Sequence, residues 1–131
     1  ADLDRRLTAT LTLFPELADR GDQLAGSLSG GEQQLLALAG VLACEPDVLM
    51  IDELSLGLAP VMVERLVEVI QELRARGMTI IVVEQSLNVA GAIADRAVFL
   101  EKGHVRFEGP MADLVERNDL ARAVFFGAEG G

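Results

Sequence analysis

Leu28-Ser29-Gly30-Gly31-Glu32-Gln33-Gln34 and Val48-Leu49-Met50-Ile51-Asp52-Glu53 are the stretches from which the rest of the chain is read. The first is a Ser-Gly-Gly turn that opens a helix. The second is an apolar strand that ends in two adjacent carboxylates. A helical run from Leu35 to Cys44 and a turn at Glu45-Pro46-Asp47 join them. Ser29-x-x-Glu32 has capping-box spacing: Ser29 accepts from the N–H three residues on, and Glu32 reaches back to the cap. Two glycines at a helix start also let backbone N–H groups approach an anion, and the helix dipole favours negative charge there. A buried strand that presents an acid pair at its carboxyl end suits a metal and a water. Each stretch also has a plain structural reading, as a cap and as a solvated turn.

Working outward, Leu3, Leu7, Leu11 and Phe14 recur at helical spacing, with Arg5 and Arg6 pointing to solvent, until Pro15 stops the helix. A short helix from Glu16 to Arg20 ends at Gly21, and Arg20 reads as solvated. The helix after Ser29 carries a wide apolar face through Leu35, Leu38 and Leu42 and is expected to be well buried. Val48 to Ile51 is continuously apolar, as in a parallel strand covered on both faces. Pro60 is a suitable first residue for a helix whose buried face is Val63, Leu66, Val67, Ile70 and Leu73, with Gly77 as its stop. Thr79 to Val83 is a β-branched second buried strand, ending in Glu84-Gln85-Ser86. Ser86 caps a short helix through Ala94. Glu101-Lys102-Gly103-His104 is a hairpin turn between Ala97–Leu100 and Val105–Phe107, and His104 reads as surface. Gly109-Pro110 is expected to break the strand. Residues 111–126 read as one or two helices, with Phe125-Phe126-Gly127 docking an apolar end. The alternation of strand and helix gives an α/β fold with a largely parallel sheet, and no linker divides the chain.

Composition narrows the function classes. The chain has 131 residues, half of them hydrophobic, enough for one domain with a real core. A formal net charge of −10, with no Lys/Arg cluster, argues against a nucleic-acid partner. The single cysteine, Cys44, forms no internal disulfide and is expected to be a buried, reduced thiol. No apolar run approaches the ~18 residues of a membrane span. The chain opens on Ala1 rather than Met, which points to a processed or cut-down polypeptide.

Together, in this order, the two stretches resemble motifs of the ATP-binding-cassette (ABC) ATPases. Leu28–Gln34 looks like that family's signature motif and Val48–Glu53 like its Walker B strand. Asp52-Glu53-Leu54-Ser55-Leu56-Gly57-Leu58-Ala59-Pro60 resembles the segment found in branched-chain amino-acid importer ATPases, with Leu54 where a proline is usual. Urea and short-amide importers share that pattern. The resemblance implies a P-loop NTPase-like parallel sheet flanked by helices, incomplete, with a C-terminal β-hairpin and terminal helices. It makes residues 1–131 the C-terminal portion of one ABC ATPase domain. Residues 1–28 would belong to the helical subdomain, 29–109 would hold the signature helix and core strands, and 110–131 would be C-terminal helices.

In that family two ATPase domains close head to tail around two ATP molecules. The resemblance therefore implies that Ser29, Gly30, Gly31 and Glu32 face the nucleotide held by the other subunit. It implies Asp52 as the Mg²⁺ residue, through water, and Glu53 as the base that polarises the attacking water. Gln85 stands where most members carry a histidine. Its amide can position the water or phosphate but carries no proton. The implied partners are a second ABC ATPase subunit and transmembrane permease subunits, at the inner face of the plasma membrane.

The phosphate-cradling loop G-x-x-x-x-G-K-[ST] does not occur, and Lys102, the sole lysine, lies in the hairpin. The family places that loop upstream of these motifs, on a strand between those at 79–83 and 97–100. The chain alone is therefore expected not to bind ATP tightly and to leave those two strands with facing, unpaired edges. Two other readings stay open: a module without a P-loop that completes a partner's ATP site, and a soluble ABC ATPase outside transport.

Overall fold

The computed structural model describes residues 2–117, 119 and 120. Two compact units are present. One holds the described residues through Ile51 together with Leu56–Ile81; the other holds Asp52–Ser55 and the described residues from Val82 onward.

In the first unit α1 (Asp2–Leu13) and α2 (Pro15–Ala18) lead through a 3₁₀ turn (Ala25–Ser27) to α3 (Gly30–Leu42). Pro15 cannot continue α1, yet its fixed φ suits the first position of α2. The three helices contact one another, and Phe14, at the α1–α2 corner, has no exposed surface. The covered part of this corner is Thr10, Leu13, Phe14 and Leu17. Leu3, expected in the apolar face, is 74% exposed, and Leu7 is exposed as well. Only the C-terminal end of α1 is covered, so the helical spacing of its leucines outruns the surface available to bury them.

Strand β1 (Val48–Asp52) is followed by α4 (Pro60–Ala75) and β2 (Thr79–Val83), and β1 pairs with β2. Pro60 opens α4, and a Schellman motif closes it. Gly77, at φ +89°, donates its N–H to Arg74 C=O, and Met78 donates to Leu73 C=O. Leu66, Val69, Ile70 and Leu73 form the buried stripe of α4. Arg65 ties this helix to the α1–α2 corner. Its guanidinium meets Glu16 at 2.6 and 3.2 Å and donates to Leu13 C=O at 2.8 Å. The Arg65 hydrogen bonds hold the Glu16 carboxyl below its ordinary value of 4.5. Because the folded value is lowered, this pair stabilises the fold above pH 4.5 and stops doing so as pH falls through the lower, folded value. Arg65→Met is expected to reduce unfolding free energy by roughly 1–3 kcal/mol at neutral pH, from the loss of charged hydrogen bonds. The deficit should shrink in acid, which denaturant titration at pH 7 and pH 3 would read.

Both strands depart from the expectation of cover on two faces. Only Leu49 of β1 is buried; Val48 is exposed and Met50 is 73% exposed. On β2, Thr79, Ile81 and Val83 are exposed, with Val83 at 57%. Side chains alternate along a strand, so one covered face leaves every second residue open. Nothing among the described residues covers the other face. The same open packing bears on α3, where Leu35, Leu38 and Ala39 are buried but Leu36 and Val41 are exposed. Cys44 is exposed rather than buried, because α3 ends at Leu42 and the cysteine sits in the turn beyond it.

The second unit carries α5 (Leu87–Ile93), β3 (Arg96–Glu101), β4 (His104–Pro110) and α6 (Met111–Glu116). Ser86 caps α5 by accepting from Val89 N–H. β3 and β4 form an antiparallel hairpin whose two-residue turn places Lys102 and Gly103 at positive φ, as a type I′ turn requires. Arg106 is an extra residue on β4, so the register shifts between Phe99↔Phe107 and Leu100↔Val105. Gly109-Pro110 does not break the strand; Pro110 is its last residue, opposite Arg96. Gly109 is buried, and a Cβ there would stand 3.2 Å from the Phe107 ring. Met111, Leu114 and Leu120 form the core of this unit, with Phe99, Phe107 and Leu87 packed against them. His104 is exposed. Phe125-Phe126-Gly127 lies outside the described residues. Among the described residues β2 pairs with β1 and β3 with β4, and no ladder joins β2 to β3.

Candidate functional site

The first candidate group lies in the first unit, at the start of α3. Ser29 has extended backbone and accepts from Glu32 N–H at 3.3 Å, while Glu32 accepts from Ser29 N–H at 2.8 Å. The capping box is therefore complete in both directions. The Ser29 N–H holds the Glu32 carboxyl below its usual range, and Arg20 lies 3.1 Å from its other oxygen. Arg20 is thus paired rather than simply solvated; Arg5 and Arg6 likewise pair with Asp2 and Glu45. Ser29 and Gly30 are exposed, and Gly31 is half-buried against Met62 of α4. A Cβ on Gly31 would come within 2.5 Å of Met62 Cγ, so a larger residue there would require the Met62 side chain to move. The first N–H groups of a helix have no intrahelical partner; here the Ser29 hydroxyl takes that of Glu32, and Gly30 is exposed beside it.

The second group lies in the second unit, where β1 and β2 end. Asp52 is the exposed last residue of β1. Glu53 has φ +54°, a left-handed conformation that is strained for a non-glycine residue. Its N–H donates to Val83 C=O at 2.8 Å. This turn directs the Glu53 side chain to Gln85, whose Nε2 donates to Glu53 Oε1 at 3.1 Å. Leu54, in the usual proline position, is buried, so packing anchors the turn there.

Sequence reasoning gave no role to Glu84 or Ser55. Glu84 is half-buried and accepts from Ser55 N–H at 3.1 Å, Ser55 Oγ at 2.8 Å, and the N–H groups of Gln85 and Ser86 at 3.0 Å. The available signal was a carboxylate at a strand end, directly before two N–H groups that leave the ladder. Among the described residues no cluster of three or more His, Cys, Asp or Glu side chains could hold a metal by itself. No helix among them is long and apolar enough to cross a membrane.

A family model described as "AAA domain, putative AbiEii toxin, Type IV TA system" matches residues 12–87. The high-affinity branched-chain amino acid transport ATP-binding protein BraG of Pseudomonas aeruginosa is 41% identical over 126 residues, 96% of this chain and 54% of the relative. A protein of Archaeoglobus fulgidus, described as the probable branched-chain amino acid transport ATP-binding protein LivF, is 41% identical over 118 residues, 89% of this chain and 50% of the relative. The chain spans about half the length of these curated relatives. The fold matches a crystal structure of the ADP conformation of an ATP-binding cassette of an ABC transporter. That match has a TM-score of 0.83 and 22% identity, covering 97% of this chain and 51% of that one. The chain belongs to the AAA-domain family whose model it matches, and its fold is that of an ATP-binding cassette.

Proposed function

We propose that the chain is the C-terminal portion of one ATPase domain of an ABC importer, in which ATP bound between two subunits drives uptake. Residues 1–28 belong to its helical subdomain, 29–109 carry the signature helix and core strands, and 110–131 are its C-terminal segment. The cargo class is branched-chain amino acids or related amides, on the strength of relatives named for branched-chain transport. The observation that carries the reading is the Glu53–Gln85 contact of 3.1 Å beside Asp52. It puts a carboxylate that can take a proton next to an amide that can only orient. The exposed second faces of β1 and β2 suit a longer domain, as does the half-length match to relatives.

Glu53 accepts the proton of the attacking water as the water oxygen bonds to the γ-phosphorus and the bond from that phosphorus to the bridging oxygen breaks, releasing ADP and phosphate; Gln85 holds the carboxylate and the water in line. Ser29 Oγ accepts from Glu32 N–H, which leaves its O–H to donate to a phosphate oxygen held by the partner subunit. The N–H groups of Gly30 and Gly31 add donors at the positive end of the helix dipole. Glu32 serves this mouth by holding Ser29 rather than by touching nucleotide.

Asp52 fits Mg²⁺ bound chiefly through water and substrate phosphates, since Mg²⁺ commonly takes only one or two carboxylates. A self-sufficient protein cage is not present among the described residues. When bound, the ion neutralises charge developing on the phosphates. The partners are a second ATPase subunit and permease subunits on the inner face of the membrane.

Turnover of ATP by the full-length protein docked on its permease, stimulated by a branched-chain amino acid presented with its binding protein, is the expected result. The 131-residue chain alone should show no micromolar ATP affinity by titration calorimetry. No hydrolysis by the docked protein would overturn the ATPase reading. Micromolar binding to the chain alone would overturn its assignment as the half without a P-loop.

A further inference from the structure

The carboxylate of Glu84, directly after β2, gathers four donors from two separate segments of the second unit. Ser55 contributes its N–H and its hydroxyl from the turn after β1. Gln85 and Ser86 contribute N–H groups from the loop that enters α5. The same segments are laced by Glu53 N–H to Val83 C=O and by Gln85 Nε2 to Glu53 Oε1. The donors to Glu84 are the Ser55 N–H and hydroxyl and the backbone N–H groups of Gln85 and Ser86, while the Gln85 side-chain amide donates to Glu53. Glu84 fixes the backbone on both sides of that pair, and a carboxylate that accepts several hydrogen bonds holds its donors more firmly than a neutral group does.

We propose that Glu84 is the positioning residue of this site, clamping the turn at 53–55 to the loop at 84–86 so that Gln85 stays on Glu53. The inference rests on the reading of Glu53 and Gln85 as the hydrolytic pair. Glu84 itself takes no proton and contacts no substrate. Both oxygens are needed. Oε2 takes Ser55 N–H, and Oε1 takes Ser55 Oγ with the Gln85 and Ser86 N–H groups. A glutamine there would aim an NH₂ at one set of donors and leave them unsatisfied. The strained φ of Glu53 would then lose part of the structure that maintains it.

The test uses Glu84→Gln, with Ser55→Ala as a milder second variant. In the 131-residue chain, NMR would follow amide exchange at Ser55, Gln85 and Ser86 and the Overhauser contact between the Gln85 side-chain amide and Glu53. Glu84→Gln is expected to speed exchange at those amides at least ~10-fold and to abolish the contact, with α4 amides unchanged. Ser55→Ala should shift exchange at Gln85 and Ser86 in the same direction by about threefold, which decides the matter if Glu84→Gln fails to fold. Unchanged exchange and a persisting contact in the folded variants overturn the clamp.

In the full-length ATPase, Glu84→Gln should lower kcat roughly 10- to 100-fold, with KM for ATP within about twofold, as expected for misplaced rather than missing groups. A normal kcat alongside a lost Gln85–Glu53 contact overturns the positioning role. If the wild-type protein hydrolyses no ATP, the hydrolytic reading falls, while the NMR result still decides whether Glu84 holds the pair.

Discussion

Glu53→Gln is expected to cut ATP turnover by the full-length protein roughly 10²- to 10⁴-fold, the range associated with loss of a general base. ATP affinity should stay intact, and the two subunits should remain closed on unhydrolysed nucleotide. The amide is isosteric with the carboxylate, so the turn and its buried Leu54 keep their shape. Proton acceptance is lost. The left-handed backbone at Glu53 and its N–H bond to Val83 are set by the chain and survive the change. Single-turnover kinetics and ATP-dependent dimerisation by light scattering would read the two effects separately. A hydrolysis rate near normal would remove Glu53 from the role of base.

Ser29→Arg is expected to abolish ATP-dependent closure of the two subunits, weakening dimerisation by about 100-fold or more, a change of about 2.7 kcal/mol. Three physical effects act together. A long cation occupies the exposed space in front of the α3 mouth. It sits at the positive end of the helix dipole, which is unfavourable by about 0.3–1 kcal/mol. It also removes the cap, at a cost of about 1 kcal/mol. Glu32 would then lose the hydroxyl half of its reciprocal contact while keeping Arg20. ATP binding to the P-loop of the same subunit should be unaffected, because the proposed role of Ser29 is toward the partner's nucleotide. Closure at wild-type ATP concentrations would count against the signature reading.

The motifs lay within short stretches and were readable there. The Ser29–Glu32 box is a three-residue spacing, and both of its hydrogen bonds form. The Glu101-Lys102-Gly103-His104 turn, the Pro60 start and the Gly77 stop are equally local, each set by the φ its residue permits. Burial followed a different rule. Leu3, Leu7, Val48, Met50 and Val83 carry the periodicity of core residues yet stay exposed. Hydrophobic pattern says which face a segment can bury, and only neighbouring elements determine whether anything covers it.

The amino-acid sequence by itself determined the order of helices and strands, the capped mouth at Ser29, the acid pair at the tip of β1 and the ATP-binding-cassette fold class. These depend on residues a few positions apart, where propensity, capping and turn geometry act directly. The tertiary structure alone decided that Gln85 meets Glu53 across 32 residues, and that Glu84 gathers Ser55 from 29 residues away. It also decided that Arg65 reaches back to Glu16 and Leu13 and that Met62 limits Gly31. Each of these contacts requires the chain to fold back and bring distant segments together, so no local spacing encodes it.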